Sequence, residues 1–337
     1  MKEKLLNVLY QSNDYYAPIT GVSITSLLEN NKHFDNINIY ILNDNISEEN
    51  IIKLKKVCGD YGRKITILDT EHILNKLLEL NVAPFKGTFT TYFKLMAIKD
   101  LIVPGDRILQ LDGDTIINGP LDELLEIDLS ENLIAATYDC TLVQYKKLID
   151  IPINDKYYNC GVLFINQKKW VEDKCEEQII NHLKNVRHGY YTVDQDILNV
   201  LFRKSIKYMD LKFNFNSGFY IYGIKGSLRL YNLKPEYYNT IQEIEEAYKN
   251  PILFHCMGAM TGRPWEEDNI HPQNDIFERY LAISPWSDFE KVKVKRRTIF
   301  ILQRMLYKIA PRFIYIPIHK LVHMRYFKKE NKIVLSR

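Results

Sequence analysis

Residues 107–121, RILQLDGDTIINGPL, constrain this chain more than any other stretch. Ile108, Leu109 and Leu111 form a short apolar run that stops on Asp112-Gly113-Asp114. Pro104-Gly105 punctuates the run before it and Asn118-Gly119-Pro120 after it, which predicts a buried strand between turns. The two carboxylates then sit at the strand's C-terminal end, where open α/β sheets bind ligands. Gly113 between them leaves room for a close ligand. Paired oxygen donors of this kind suit a hard divalent cation that keeps some water and also holds phosphate oxygens. An Asp-x-Asp pattern is common, however, and a solvated turn with two surface aspartates is the commoner meaning of these residues alone.

The rest of the chain sets that strand in an α/β pattern. Residues 5–10 (LLNVLY), 37–42 (INIYIL) and 64–68 (KITIL) read as strands. Helices alternate with them, one carrying Ile19, Val22 and Leu27, another capped by Ser47 with Glu48 and Glu49 in its first turn. A helical pattern from Thr90 leads into the central strand. Further on, strands are predicted at 133–137 and in YYNCGVLFIN (157–166), and helices at 168–185 and 193–202. A last strand, ILFH, delivers His255 into a glycine-bearing loop with Gly258, Gly262 and Arg263. This alternation predicts an α/β fold, mostly parallel, with helices on both faces.

Five cysteines, an odd number with no CxxC pair, point to neither a disulfide framework nor a zinc cluster, and to a reducing, cytoplasmic setting. No segment has the length and apolarity of a signal peptide or membrane span. The net charge of +3 hides an asymmetry. From Lys291 onward there are 14 basic residues and one acid, Glu330, mixed with Ile299, Phe300, Leu302, Met305, Phe313 and Ile316. The chain therefore divides into a body, 1–282, and a basic amphipathic tail, 283–337. The tail is expected to form helix on an anionic membrane surface; packing on the acidic body is the main alternative, and nucleic acid is not the expected partner.

The loops after the strands gather Asn13–Tyr16, Asp112–Asp114, Asp139, Asn159, Asp194–Gln195 and His255. Carboxylates, amides, an imidazole and aromatics together suit a metal-bound nucleotide diphosphate beside a polyhydroxyl ligand. No P-loop and no GxGxxG follows the first strand, which argues against an ordinary ATPase or dinucleotide enzyme. Residues 11–22 also lack the Gly-rich, basic signature of a nucleotidyltransferase.

The motifs NVLYQSNDYYAPITGVSITSLL, TTYFKL, LQLDGDTII, PLDEL, YYNCGVLFINQKKW, DQDILNVLF, LKFNFN and HCMGAMTGRPW, in this order, resemble family 8 retaining glycosyltransferases. The likeness is strongest to the bacterial lipopolysaccharide and lipooligosaccharide α-galactosyl- and α-glucosyltransferases, with glycogenin more distant. The resemblance implies a GT-A fold, a single Rossmann-like domain, using Mn²⁺ (with Mg²⁺ as the alternative) and a UDP-hexose. By position it implies Asp112, Asp114 and His255 as metal ligands. It assigns Asn13 and Tyr16 to the uracil loop, and Lys94, Gly113, Gly258 and Arg263 to the nucleotide sugar and its phosphates. It gives Asp139, Asn159, Asp194 and Gln195 to the donor sugar and reaction centre. Asn13 stands where relatives often carry Asp, Lys94 where they carry Arg, and Arg263 where a Lys is usual. The implied reaction moves galactose or glucose onto a glycan or glycolipid at the inner face of the membrane. A non-catalytic UDP-sugar-binding scaffold and a self-glucosylating primer are the alternatives.

Overall fold

The computed structural model describes residues 3–186 and 190–335. Arg337, counted above in the basic tail, lies outside the described residues. The strands in chain order are β1 (Leu5–Asn13), β2 (Asn36–Asp44), β3 (Lys64–Asp69), β4 (Arg107–Leu111), β5 (Thr115–Ile117), β6 (Ile134–Ala136), β7 (Val162–Asn166), β8 (Ile206–Tyr208), β9 (Phe215–Asn216) and β10 (Leu253–His255). The helices begin with α1 (Ala17–Asn30), α2 (Glu48–Asp60), α3 (Glu71–Glu79), α4 (Thr90–Ala97) and α5 (Asp122–Leu125). They continue with α6 (Gln167–Glu172), α7 (Cys175–Asn185), α8 (Val193–Phe202), α9 (Gly218–Tyr222), α10 (Ile224–Tyr231) and α11 (Ile241–Lys249). The last three are α12 (Asn274–Ala282), α13 (Thr298–Ile309) and α14 (Arg312–Leu335).

The main sheet runs β3-β2-β1-β4-β7-β6-β8. β7 is antiparallel to both β4 and β6, while every other pairing is parallel, so β7 alone is reversed. Alternation along the strands builds the layers. Val8, Tyr10, Leu109 and Leu111 face one core with Ile19, Val22 and Leu27 of α1. Leu9 and Ile108 face the other with Phe93 of α4 and Ile197 of α8. A second small sheet, β5-β10-β9, sits beyond the end of β4.

Three sequence expectations change. β1 extends to Asn13 because its pairing with β2 continues to Asp44, although Gln11, Ser12 and Asn13 are polar and read as loop. The single helix expected over 168–185 is two, broken at Lys174 with φ +52°. Buried Trp170 and Cys175 are five positions apart, which one straight helix would place on different faces; the left-handed turn returns both to the core. The segment 69–89, unread in the sequence, holds α3 and a tight turn, Phe85 to Thr88, with Lys86 and Gly87 at positive φ.

The chain beyond residue 282 is continuous with the body's packing. Trp286 is buried against α1, where a Cβ on Gly21 would fall 2.0 Å from its ring, and its indole N–H donates to Asn50 Oδ1 at 2.8 Å. In the tail, Tyr307, Tyr315 and Ile316 pack on Ile221, Tyr222 and Leu230. Ile301, Leu302, Met305, Ile309 and Phe313 stay exposed. No helix among the described residues is long and apolar enough to cross a membrane.

Candidate active site

The C-terminal ends of β1 and β4 and the reversed start of β7 meet at one edge of the sheet. A cleft of about 480 Å³ opens there. Its walls include Asn13, Tyr16, Asp112, Gly113, Asp114, Asn159, Asp194, Gln195, His255 and Arg263. The residues singled out in the sequence thus converge, with Asp139, Lys94 and Gly258 placed behind this surface.

Asp114 leaves β4 on the Gly113 turn. β5 follows at once and pairs antiparallel with β10, setting His255 opposite Thr115. That pairing brings His255 Nε2 to 3.2 Å from Asp114 Oδ1. Asp112, Asp114 and His255 each offer a ligand atom, and these atoms lie within 4.8 Å of one another. Two hard oxygen donors and one imidazole fit a divalent ion of the Mn²⁺ or Mg²⁺ kind, with positions left for water and phosphate oxygens.

Arg263 Nη1 donates to Asp114 Oδ2 at 2.7 Å and to the Tyr16 hydroxyl at 2.8 Å. Burial works against the Asp114 charge, but His255 and Arg263 outweigh it and hold the carboxyl well below the usual range. Burial likewise opposes charge on His255, yet Asp114 and then Asp112 raise its pKa above the ordinary histidine value. Asn13 has a structural task as well: its Oδ1 accepts the Tyr16 N–H at 3.0 Å and fixes the turn into α1. The Tyr16 ring meets Trp265 edge to face at 6.1 Å.

Lys94 is 1% exposed, so it is not a solvated helix lysine. Its Nζ donates to Asp112 Oδ1 (3.0 Å), Asp194 Oδ2 (2.6 Å) and the Cys160 carbonyl (2.8 Å). Burial disfavours the charge, but the two carboxylates more than offset it and raise the pKa. Gln110 Nε2 also donates to Asp112 Oδ1 (3.1 Å), so both hydrogen bonds fall on one oxygen and leave Oδ2 free of them. Lys94 therefore positions the Asp112 carboxylate from beneath.

Gly113 serves packing rather than only ligand space. A Cβ there would lie 2.4 Å from Thr20 Oγ1 of α1. Gly161 has the corresponding task under the candidate metal site, where a Cβ would meet the His255 ring at 2.3 Å. Gly258 lies under the Arg263 side chain.

Asp139 is hydrogen-bonded by Asn159 Nδ2 at 2.7 Å. Burial raises its pKa, and Asn159 partly opposes this. Asn159 Oδ1 accepts from Gly161 N (2.9 Å) and Asn214 Nδ2 (2.7 Å). Gln195 is held at both ends of its amide. Its Oε1 accepts the Cys160 N–H at 3.1 Å, and its Nε2 donates to the Tyr157 hydroxyl at 3.3 Å. Tyr157 in turn donates to Asp196 Oδ1 at 2.6 Å, and Tyr145 to Asp196 Oδ2. The sequence reading missed Asn214, Gln110, Tyr157 and Asp196. Asp196 stood beside Gln195 in the DQD motif, but a carboxylate in a helix's first turn reads as a dipole partner.

Burial raises the Asp196 pKa to about 6, against hydrogen bonds from Tyr145 and Tyr157 that lower it. The folded protein thus holds this proton more tightly than the unfolded chain. The contribution is fully present below about pH 4 and is lost as pH rises through about 6, an effect of roughly 3 kcal/mol. Urea denaturation of the native protein and Asp196→Asn between pH 4 and 7 checks it: the native-minus-variant stability should fall with rising pH. A flat difference would contradict the burial argument.

The fold matches a solved structure of the galactosyltransferase LgtC with donor and acceptor sugar analogues. The TM-score is 0.62 at 24% identity, covering 83% of this chain and 96% of that one. The fold is thus of the GT-A type found in that structure. The chain belongs to glycosyl transferase family 8, whose profile matches residues 7–269. Among its relatives, a lipopolysaccharide 1,2-glucosyltransferase of Escherichia coli K12 is 29% identical over 84% of this chain and 79% of the relative. A lipopolysaccharide 1,3-galactosyltransferase of Salmonella typhimurium is 24% identical over 83% and 79%.

Proposed function

We propose that this chain transfers a hexose, glucose or galactose, from a UDP-sugar to a glycolipid of the lipopolysaccharide type, with retention of anomeric configuration and dependence on Mn²⁺. The observation that carries the reading is the Asp112–Asp114–His255 cluster in the wall of a cleft that also presents Arg263 and Gln195. The names of the two relatives above support the hexose and the acceptor.

Breaking the glycosyl–phosphate bond leaves a cationic sugar and a highly charged UDP. A bound divalent ion would supply Lewis-acid stabilisation of that diphosphate, held by Asp112, Asp114 and His255. Arg263 adds a fixed positive charge beside it. Tyr16 and Asn13 shape the wall for the base. Asp194 is the only carboxylate we nominate for a double displacement, and its pairing with Lys94 at 2.6 Å makes it a poor nucleophile. We therefore favour front-face transfer, in which the leaving phosphate takes the acceptor's proton and the Gln195 amide oxygen faces the positive sugar. A covalent glycosyl-Asp194 adduct in intact-mass spectra would overturn this.

UDP release from a panel of UDP-sugars, with and without Mn²⁺, is the deciding experiment. Metal-dependent turnover of one UDP-hexose supports the reading and names the donor. Absence of both turnover and Mn²⁺-dependent UDP binding would leave a scaffold with this fold. Tyr157→Phe provides a finer test. It removes the acceptor for Gln195 Nε2, so kcat should fall about tenfold, matching the 1–3 kcal/mol of one buried hydrogen bond, with little change in donor KM. An equal rise in KM would mean Gln195 is not what Tyr157 positions.

The tail would bring the enzyme to the inner face of the membrane. Ile301, Leu302, Met305 and Ile309 are exposed on α13 close to Lys308 and Arg312, an arrangement suited to anionic lipid. Sedimentation with anionic vesicles should be lost in Leu302→Glu/Ile309→Glu, which spares the residues packed on the body.

A further inference from the structure

A groove of about 570 Å³ lies between the segment entering α13, α13 itself and α14. Val294, Ile299, Phe300 and Val322 give it apolar walls. Tyr191 and Met260 line it on the body's side, and Gln303, His319 and His323 add polar groups. Tyr191 precedes Thr192, and Met260 lies in the short loop that ends on Arg263; Thr192 and Arg263 both line the catalytic cleft. Groove and cleft are therefore built on the same two loops.

The charged lining is entirely cationic among the described residues. One lining cation, Arg296, is neutralised by Glu266 and Asp268 (2.8 Å), and Asp268 is also paired with Arg304 (2.6 Å). Lys295, Arg297 and Arg325 line the groove, are exposed and make no ion pair among the described residues. A neutral sugar chain would leave these three cations unmatched. Inorganic phosphate would match the charge and leave the apolar walls in water. A phosphate-bearing amphiphile satisfies both.

We infer that this groove holds the phosphate-bearing, lipid-proximal end of the acceptor, while its sugar terminus reaches the cleft past Tyr191 and Met260. The inference rests on the transferase reading and adds to it a place and a chemistry for the acceptor. It is separate from the exposed residues Ile301, Leu302 and Ile309, which do not line the groove.

The probe is dodecyl phosphate with a diazirine in its chain, photolysed with the full-length protein and mapped by peptide mass spectrometry. Labels are expected within residues 294–300 and 319–325. Arg297→Glu/Arg325→Glu should reduce labelling at least tenfold, with the melting temperature and UDP-sugar hydrolysis unchanged. Arg325→Gln alone, at an exposed position, should reduce it about threefold. Lipooligosaccharide should displace the probe at a concentration at least tenfold below that needed of phosphatidylglycerol. Labels confined to Ile301, Leu302, Met305 and Ile309, labelling unchanged in the charge variants, or equal displacement by the two lipids would each overturn the proposal. Failure of the wild-type protein to turn over any UDP-sugar bears on the transferase reading alone, because labelling does not depend on it.

Discussion

Asp114→Asn is expected to lower sugar transfer by at least about 10³-fold while the protein stays folded. The residue serves three partners at once. One carboxylate oxygen faces His255 Nε2 at 3.2 Å and the other takes Arg263 at 2.7 Å. With Asp112 it would also supply the anionic oxygens of the proposed cation site. Asparagine keeps the shape but removes the charge, so His255 and Arg263 lose the anion between them and the cation site loses a hard ligand. Calorimetric titration with Mn²⁺ should show weakened binding in parallel with lost UDP release, and near-ultraviolet circular dichroism should be unchanged. Full turnover with undiminished Mn²⁺ affinity would remove Asp114 from the metal site.

Lys94→Met should be the most destabilising single change beneath the cleft. It leaves Asp112 and Asp194 facing each other without their shared cation. Breaking a buried ion pair from one side costs about 3–5 kcal/mol, far more than a surface pair is worth. At 1% exposure Lys94 has no solvent to soften that loss. Urea denaturation would measure it, and activity should fall with it because Asp112 loses its orientation. A cost below about 1 kcal/mol would mean the two carboxylates find another partner or a proton. Lys94→Arg keeps the charge but adds a planar group to a full site, so an intermediate loss is expected.

How much of this was legible depended on whether a feature is local. The apolar run ending on Asp112 and Asp114 announced a strand with a ligand at its tip, and β4 ends there. Ser47 was readable as a cap, and its Oγ accepts the Asn50 N–H at 3.4 Å. α8 spans Val193–Phe202 as its pattern predicted. Lys94 was legible as a helix residue but not as a buried one, since a lysine beside apolar residues looks the same in sequence whether it snorkels to water or meets two carboxylates. Of the small sheet β5-β10-β9 only β10 was legible, as ILFH; β5 and β9, of three and two residues, leave too little periodicity to read. The break at Lys174 was hidden because each half of 168–185 is a good helix and only the core decides that both must face it.

The sequence by itself determined the α/β alternation around the central strand, the acidic body with its basic tail, and the likeness to family 8 glycosyltransferases. These follow from local patterning and from motifs in a fixed order. Only the tertiary structure decided which groups meet: His255 against Asp114 through the β5–β10 pairing, Lys94 between Asp112 and Asp194, Gln195 tied through Tyr157 to Asp196, and half of the tail packed on α9 and α10. Each is a contact between residues distant in the chain. Its energy depends on burial and on partners that no local stretch of sequence specifies.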